Sequence, residues 1–327
     1  MTYLLQYMEV YLLFIIGFVL LIKGADWLVA GSAAIAKKNN VSNLVVGLTI
    51  VSMGTSMPEL VVNVLASSKD ASQIAIGNIL GSNIANIWLI LGVAALIYPI
   101  KIKESTVFSE IPYSIIALLL VAFLANSNFW GSHPNSINQI DGILLMIFFG
   151  LFVAYIIRLA KNGKADMLDD MPDEEITTGK SIIMVFLGMA SLFFGGEWVV
   201  NGAIVTASHL GLSEAFIGLT IVAIGTSLPE LVTSAMAAYK KNTDIAMANV
   251  IGSNIFNLLW VLGISAIIKP VEFDPKLNID VLILLGASCL ILFSLVTGRV
   301  KNQIGKPTSI LFLVLYVAYV VFLLYRG

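Results

Sequence analysis

The sequence predicts an all-α polytopic membrane protein: ten transmembrane helices as two inverted five-helix repeats, with broken helices at the midplane. Three observations predict it. Apolar residues make up 58% of the 327 and charged residues only 12%, where soluble domains carry about 25% charge. Runs of roughly 20 apolar residues recur from end to end, each long enough to span a bilayer. The second half of the chain repeats much of the first. The runs are continuous and do not alternate as barrel strands do, so helices are the spanning form.

The segments, in order, are about 9–33, which carries Lys23, Asp26 and Trp27; 43–67, which carries Pro58 and Glu59; 73–98, with a polar stripe; 108–126; and 138–160. After them come 181–207, which carries Glu197 and Trp198; 215–239, with Pro229 and Glu230; 244–268, with a second polar stripe; 278–297; and 308–325. The first run is too long for a signal peptide and has no basic leader, so it reads as a retained helix. The longest polar connection, 161–180, is rich in Asp and Glu and divides the chain. Residues 1–160 are the first five-helix repeat, with its most repetitive part at about 43–98. Residues 181–327 are the second, with its counterpart at about 215–268.

Sliding residues 24–99 forward by 171 lays them on 195–270 without a gap, and about 33 of those 76 positions are identical. Trp27 meets Trp198, Gly47–Val51 meets Gly218–Val222, and Pro99 meets Pro270. The last two helices of each half show no such agreement. Five helices per half is odd, so the second half enters from the opposite side. Inverted repeats of this kind mark secondary transporters. Lys37, Lys38, Lys101, Lys103, Arg158, Lys161, Lys164, Lys180, Lys240, Lys241, Arg299, Lys301 and Lys306 fall on one side; only Lys69, Lys269, Lys276 and Arg326 fall on the other. The basic side is cytoplasmic. Both termini then face outward and the 161–180 linker is cytoplasmic.

One stretch occurs twice: Gly54-Thr55-Ser56-Met57-Pro58-Glu59-Leu60-Val61 and Gly225-Thr226-Ser227-Leu228-Pro229-Glu230-Leu231-Val232. Proline has no N–H for the carbonyl four residues back, and its ring crowds that carbonyl. The helices should break near Thr55-Ser56 and at the matching Thr226-Ser227, freeing backbone oxygens. Ser-x-x-Glu is also the spacing of a capping box. A carboxylate near the bilayer centre, however, costs roughly 2.5–3.5 kcal/mol or more, and two such carboxylates at matching positions call for a cation.

The second element is Asn78-x-x-Gly81-Ser82-Asn83-x-x-Asn86, mirrored by Asn249-x-x-Gly252-Ser253-Asn254-x-x-Asn257. Residues four apart share a helix face. Ser82, Ser253, Asn86 and Asn257 fit ion contact. Asn78, Asn249, Asn83 and Asn254 fit hydrogen bonding between helices. The whole ligand set is oxygen, the choice of hard cations such as Ca²⁺ and Na⁺. Two carboxylates neutralise one Ca²⁺ or hold Na⁺ in its place, which makes the two occupancies alternatives and gives exchange a physical basis.

These stretches resemble the α-repeats of the cation/Ca²⁺ antiporter superfamily, its prokaryotic Na⁺/Ca²⁺ exchanger branch most of all. The resemblance implies an antiporter exchanging Ca²⁺ for Na⁺ by alternating access. The second, third, seventh and eighth helices form the ion core, and the first and sixth slide across it. It implies that Glu59 and Glu230 are shared ligands of both ions. Thr55, Thr226, Ser56, Ser227, Ser82 and Ser253 contribute hydroxyl or carbonyl oxygen, Ser52 and Ala223 main-chain carbonyls, and Asn86 lines the middle. Sodium-coupled members carry aspartate where this chain has Asn257, so this core has two acidic groups and not three. A branch that exchanges Ca²⁺ for H⁺ also uses paired acidic residues, and protons are the competing coupling ion.

The remaining features weigh less. The net charge of −2 gives no basic surface for nucleic acid, and Cys289 is the single cysteine, so neither a disulfide nor a cysteine-rich metal site is expected. No HExxH, no GxSxG and no cofactor motif points to an enzyme. A channel could use the same ligands, but the inverted repeat favours alternating access. Asp26 and Glu197 are repeat-equivalent and fit a structural or gating role, with Lys23 a same-face partner for Asp26. Trp130 and His133 fit an interfacial anchor. His209 has no clustered partner. The acidic run 166–175 lacks EF-hand spacing and reads as a solvated linker. The expected setting is a plasma (inner) membrane, the expected partners are Ca²⁺, Na⁺ and lipid, and the chain is expected to act as a monomer.

Overall fold

The computed structural model describes residues 2–68, 72–127, 135–162, 177–209, 223–298 and 300–326. The fold is helical throughout. Helix α1 is Thr2–Lys38, α2 is Asn43–Thr55 and α3 Met57–Ser68, and α4 is Ser72–Ile97. Helices α5 (Glu110–Asn126) and α6 (Gln139–Asn162) complete the first half. The second half begins with α7 (Thr178–His209), followed by α8 (Ala223–Thr226), α9 (Leu228–Tyr239) and α10 (Thr243–Ile268). Helices α11 (Asn278–Thr297) and α12 (Lys306–Arg326) close the chain.

Among the described residues, eight helices are long and apolar enough to cross a membrane, and the bent pair α2–α3 makes a ninth. The seventh expected segment, 215–239, is described only from Ala223 onward. Trp130, His133, the acidic run 166–175 and the side chain of His209 lie outside the described residues.

Helices α4 and α10 form the centre. Nearly every side chain from Asp244 to Ile255 is buried, as are Ser82 to Trp88 on α4. A helix apolar or enclosed on all sides belongs in a protein interior, and these two are wrapped by the rest.

Helices α1 and α7 run antiparallel along one flank, joined by a glycine seam. A Cβ on Gly24 would lie 2.9 Å from the Gly188 carbonyl, and one on Gly188 2.8 Å from the Gly24 carbonyl. Gly17 and Gly195 meet in the same way, at 2.9 and 2.8 Å. Small residues let backbones approach where lipid supplies no hydrophobic drive. The seven-residue spacing Gly17, Gly24, Gly31 and its mate Gly188, Gly195, Gly202 puts each set on one helix stripe.

Two short antiparallel strand pairs join the halves. Strand β1 (Ile100–Lys101) pairs with β4 (Gln303–Ile304), and β2 (Ser136–Ile137) with β3 (Val271–Glu272). Each pair takes one strand from each half, and Ile100 and Val271 are 171 apart. Asn135 and Asn302 stand just before β2 and β4 with φ of 65° and 56°, a conformation asparagine tolerates.

The outer helices of each half are tied by a tyrosine–carboxylate bond. Tyr155 on α6 donates to Glu110 on α5. Tyr319 on α12 donates to Asp280 on α11 at 2.8 Å, and Arg326 pairs with the other Asp280 oxygen at 2.7 Å. Asp26 does not pair with Lys23, which points outward. It pairs with Lys240, just past α9, at 2.5 Å. That contact ties α1 to the far end of the second broken helix.

Candidate ion site

Each half supplies one broken helix and one intact helix. The α2–α3 pair is bent by 45°, and Ser56 at the break has φ −84° and ψ 4°. Ser227, between α8 and α9, has φ −90° and ψ 6°. Both serines sit in the bridge region between helix and extended backbone. The cause is the proline two residues on, which leaves the carbonyls of Gly54 and Gly225 without their usual donor.

The two breaks differ in one detail. The Ser56 N–H reaches the Ser52 carbonyl at 3.0 Å, whereas the Ser227 N–H turns to the Ile224 carbonyl at 3.2 Å. The Ala223 carbonyl is therefore not taken by that N–H. The Ser52 carbonyl is shared, and Thr55 Oγ1 lies 3.4 Å from it. The Ser52 hydroxyl donates to the Gly47 carbonyl at 2.7 Å.

Neither serine behaves as a capping residue. Ser227 makes no side-chain cap bond. The Ser56 hydroxyl donates across the molecule to Glu230 Oε1 at 3.2 Å, and Ser253 Oγ stands 3.5 Å from the same oxygen. The first break thus faces the carboxylate of the second half.

All six asparagines bond between the halves. Thr55 Oγ1 donates to Asn249 Oδ1 at 3.0 Å, and Thr226 Oγ1 to Asn78 Oδ1 at 3.1 Å. Asn83 Nδ2 donates to the Asn254 carbonyl at 3.3 Å, and Asn254 Nδ2 to the Asn83 carbonyl at 3.4 Å. Asn86 Nδ2 donates to Asn254 Oδ1 at 2.9 Å, and Asn257 Nδ2 to Asn83 Oδ1 at 3.1 Å. Every one of these bonds has a mate 171 residues away. Asn86 and Asn257, expected at the ion, join the halves through their amide nitrogens just as Asn78, Asn249, Asn83 and Asn254 do through theirs or their oxygens. The two threonine hydroxyls are spent on the same task.

Several of the expected ligand oxygens are left over. Glu59 Oε2, Glu230 Oε2, Ser82 Oγ, Ser227 Oγ, Asn86 Oδ1 and Asn257 Oδ1 are buried and have no hydrogen-bond partner among the described residues. A buried polar group left unsatisfied costs about 1–3 kcal/mol, more if charged. These six are the ones at the expected ligand positions, and both halves supply them; nine other buried side-chain atoms, among them Asn63 Oδ1, Thr233 Oγ1 and Asn78 Nδ2, also lack a hydrogen-bond partner among the described residues. A cation or a strong donor placed among them would satisfy them. Among the described residues no group of three or more His, Cys, Asp or Glu side chains could hold a metal, so the charge available is that of Glu59 and Glu230.

Three features were not legible beforehand. The chain makes π-helical turns at Gly47–Val51, Asn86–Ile90 and Phe256–Val261. Asn86 opens one and Asn257 lies in another, and such turns are frequent at functional sites. Asn249 also ties to Ser234 Oγ at 2.9 Å and to the Glu230 carbonyl at 3.3 Å. Finally, a cavity of about 260 Å³ lies against Pro58 and Pro229, walled on its far side by Phe193, Gly196, Glu197, Val200 and Asn201 of α7.

Known proteins share this architecture. The family profile described as sodium/calcium exchanger protein matches residues 9–158 and 180–325. The inner membrane protein YrbG of Escherichia coli K12 is 36% identical, over 91% of this chain and 92% of its own length. The sodium/calcium exchanger MaX1 of Methanosarcina acetivorans is 32% identical, over 96% of this chain and 98% of its own. A solved structure of the sodium-calcium exchanger NCX_Mj, soaked with 10 mM Na⁺ and no Ca²⁺, superposes with a TM-score of 0.82 at 32% identity, covering 96% of this chain and 99% of that one.

Proposed function

The chain belongs to the sodium/calcium exchanger protein family, and from that premise we propose that it is a secondary antiporter exchanging Ca²⁺ for Na⁺ by alternating access. The observation that carries the reading is the set of six buried oxygens without partners, built around one carboxylate from each half. Ca²⁺ takes 6–8 oxygen ligands, and two carboxylates match its charge. Na⁺ competes for the same oxygens, so the two ions take turns. Relatives named for Na⁺/Ca²⁺ exchange support this choice.

In this reading Glu59 and Glu230 are the shared charged ligands. Ser56, Ser227, Ser82 and Ser253 add hydroxyls, Asn86 and Asn257 amide oxygens, and Thr55, Thr226, Ser52 and Ala223 main-chain carbonyls. Ten spanning helices form two inverted repeats, residues 1–160 and 181–327, joined by the 161–180 linker. The reciprocal asparagine bonds and the exchanged strand pairs support that two-fold plan. Helices α1 and α7, locked by their glycine seam, slide as a unit over the core. The basic loops put the linker in the cytoplasm and both termini outside a plasma (inner) membrane. The chain works without a cofactor and as a monomer.

A second reading rests on Asn257. With an amide there, the site has two carboxylates, which is enough for Ca²⁺/H⁺ exchange in which Glu59 and Glu230 carry the protons. Radioactive Ca²⁺ uptake into proteoliposomes separates the two, with an outward Na⁺ gradient, an outward H⁺ gradient or none, at clamped membrane potential. Uptake driven by Na⁺ alone is expected. Uptake driven by H⁺ alone would move the protein to the second reading, and uptake under neither would end both.

A further inference from the structure

We propose that Glu197 gathers cations in a vestibule that leads to the paired glutamates, holding hydrated ions near the breaks before they shed water. The proposal rests on the exchange reading above and adds a residue outside its ligand set. The cavity beside α7 reaches Pro58 and Pro229, and each proline directly precedes one of the two glutamates. Glu197 is the one ionisable side chain in its lining; Asn201 and Thr226 are the other polar ones, and the remaining walls are apolar or glycine. Asn201 is four residues on from Glu197, on the same helix face.

The repeat sharpens the contrast. Asp26, the mate of Glu197 in the first half, is neutralised by Lys240 at 2.5 Å. Glu197 is exposed, and among the described residues no cation pairs with it. Because Gly17 packs on Gly195 and the helices are antiparallel, Glu197 stands about ten residues, or ~15 Å, along the α1 axis from Asp26. One carboxylate is paired with a lysine at one end of the helix pair, and its mate lines a cavity at the other.

A lone charge in a cleft with low-dielectric walls focuses its field and raises the local concentration of counter-ions. The apolar walls offer no ligands to strip an ion of water. The 260 Å³ volume holds roughly eight waters at ~30 Å³ each, room for an ion with its first shell. Dehydration is left to the six oxygens deeper in.

The test uses two readouts. Cys289 is the only cysteine, so a Cys289→Ser background makes Asn201→Cys a single reporter thiol. The first readout is the ratio of its reaction rates with cationic and anionic methanethiosulfonate reagents at low ionic strength. Glu197→Gln is expected to lower that ratio several-fold and Glu197→Asp to restore it, with the difference fading above about 0.15 M salt as screening sets in. An unchanged ratio overturns the proposal. The second readout is Ca²⁺ uptake: Glu197→Gln is expected to raise the half-saturating Ca²⁺ concentration several-fold more than it lowers the maximal rate. A changed ratio with an unchanged half-saturating concentration also overturns it. If the unmutated protein carries no Ca²⁺, the exchange reading falls, and the thiol ratio alone decides whether Glu197 gathers cations.

Discussion

At the scale of single residues, the site turns on which oxygens are already spoken for. Glu59 and Glu230 each keep one oxygen without a partner in a buried setting. Replacing either with Gln removes half the charge that faces a divalent ion and keeps the shape. Glu59→Gln and Glu230→Gln are each expected to cut Ca²⁺ flux by more than a hundredfold in proteoliposomes while the protein stays monodisperse in detergent. Near-normal flux in either variant removes the shared-site reading. Asn257→Asp is a sharper probe. Asn257 now donates to Asn83 Oδ1 at 3.1 Å, and aspartate has no such donor. Without ions the variant should lose about 1–3 kcal/mol, the cost of opposing two acceptors, and should recover it when Ca²⁺ is added. Its dependence on Na⁺ or H⁺ should change as well. Identical ion-free melting and identical counter-ion dependence would place position 257 outside the site. The sequence showed the polar stripes, because side-chain spacing on a helix fixes which residues share a face. It did not show that the Thr55 and Thr226 hydroxyls are consumed by Asn249 and Asn78, since that depends on how the halves meet.

At the scale of elements, local chemistry predicted the breaks and missed the seam. A proline without an N–H acts on its own carbonyl four residues back, so the bend at Ser56 is legible from Gly54 and Pro58 alone. The π-helical turns leave no such mark, because Asn86–Ile90 and Phe256–Val261 read as ordinary apolar helix. The glycine stripe of α1 and α7 was present in the sequence, but its meaning needs a partner at the right depth. Its energetics can be tested. A side chain on Gly24 must displace backbone, since the Gly188 carbonyl lies 2.9 Å from the new Cβ. Gly24→Val should destabilise the protein by about 1–3 kcal/mol, the usual range for overpacking, and slow transport. Gly286→Ala on α11 meets nothing within 4 Å and should leave melting unchanged or slightly raised, since alanine favours helix. Equal melting of Gly24→Val and the unmutated protein would mean that the seam is loose.

At the scale of the whole molecule, the halves are held together by paired strands and by crossed asparagine bonds, and in the proposed reading by a bound ion as well. The strand pairs, and which residues the asparagines would meet, were hidden from the sequence because each joins residues far apart along the chain, as Ile100 with Ile304 or Asn83 with Asn254. In the proposed reading the centre is the joint that an ion completes. Glu59 belongs to one half and Glu230 to the other, and one buried oxygen of each has no partner among the described residues. An ion bound there stabilises the folded protein by mass action, by about 2.7 kcal/mol at a concentration 100 times its Kd. Ca²⁺ should therefore raise the melting temperature in detergent by several degrees, and a chelator should reverse the rise. Na⁺ should give a smaller rise at much higher concentration and should compete with Ca²⁺. Glu59→Gln should melt without regard to Ca²⁺, because its remaining carboxylate no longer spans the two halves with matching charge. If the unmutated protein melts at one temperature with Ca²⁺, with Na⁺ and with neither, the oxygens left over at the centre are not an ion site, and the coupling of the two halves must lie elsewhere.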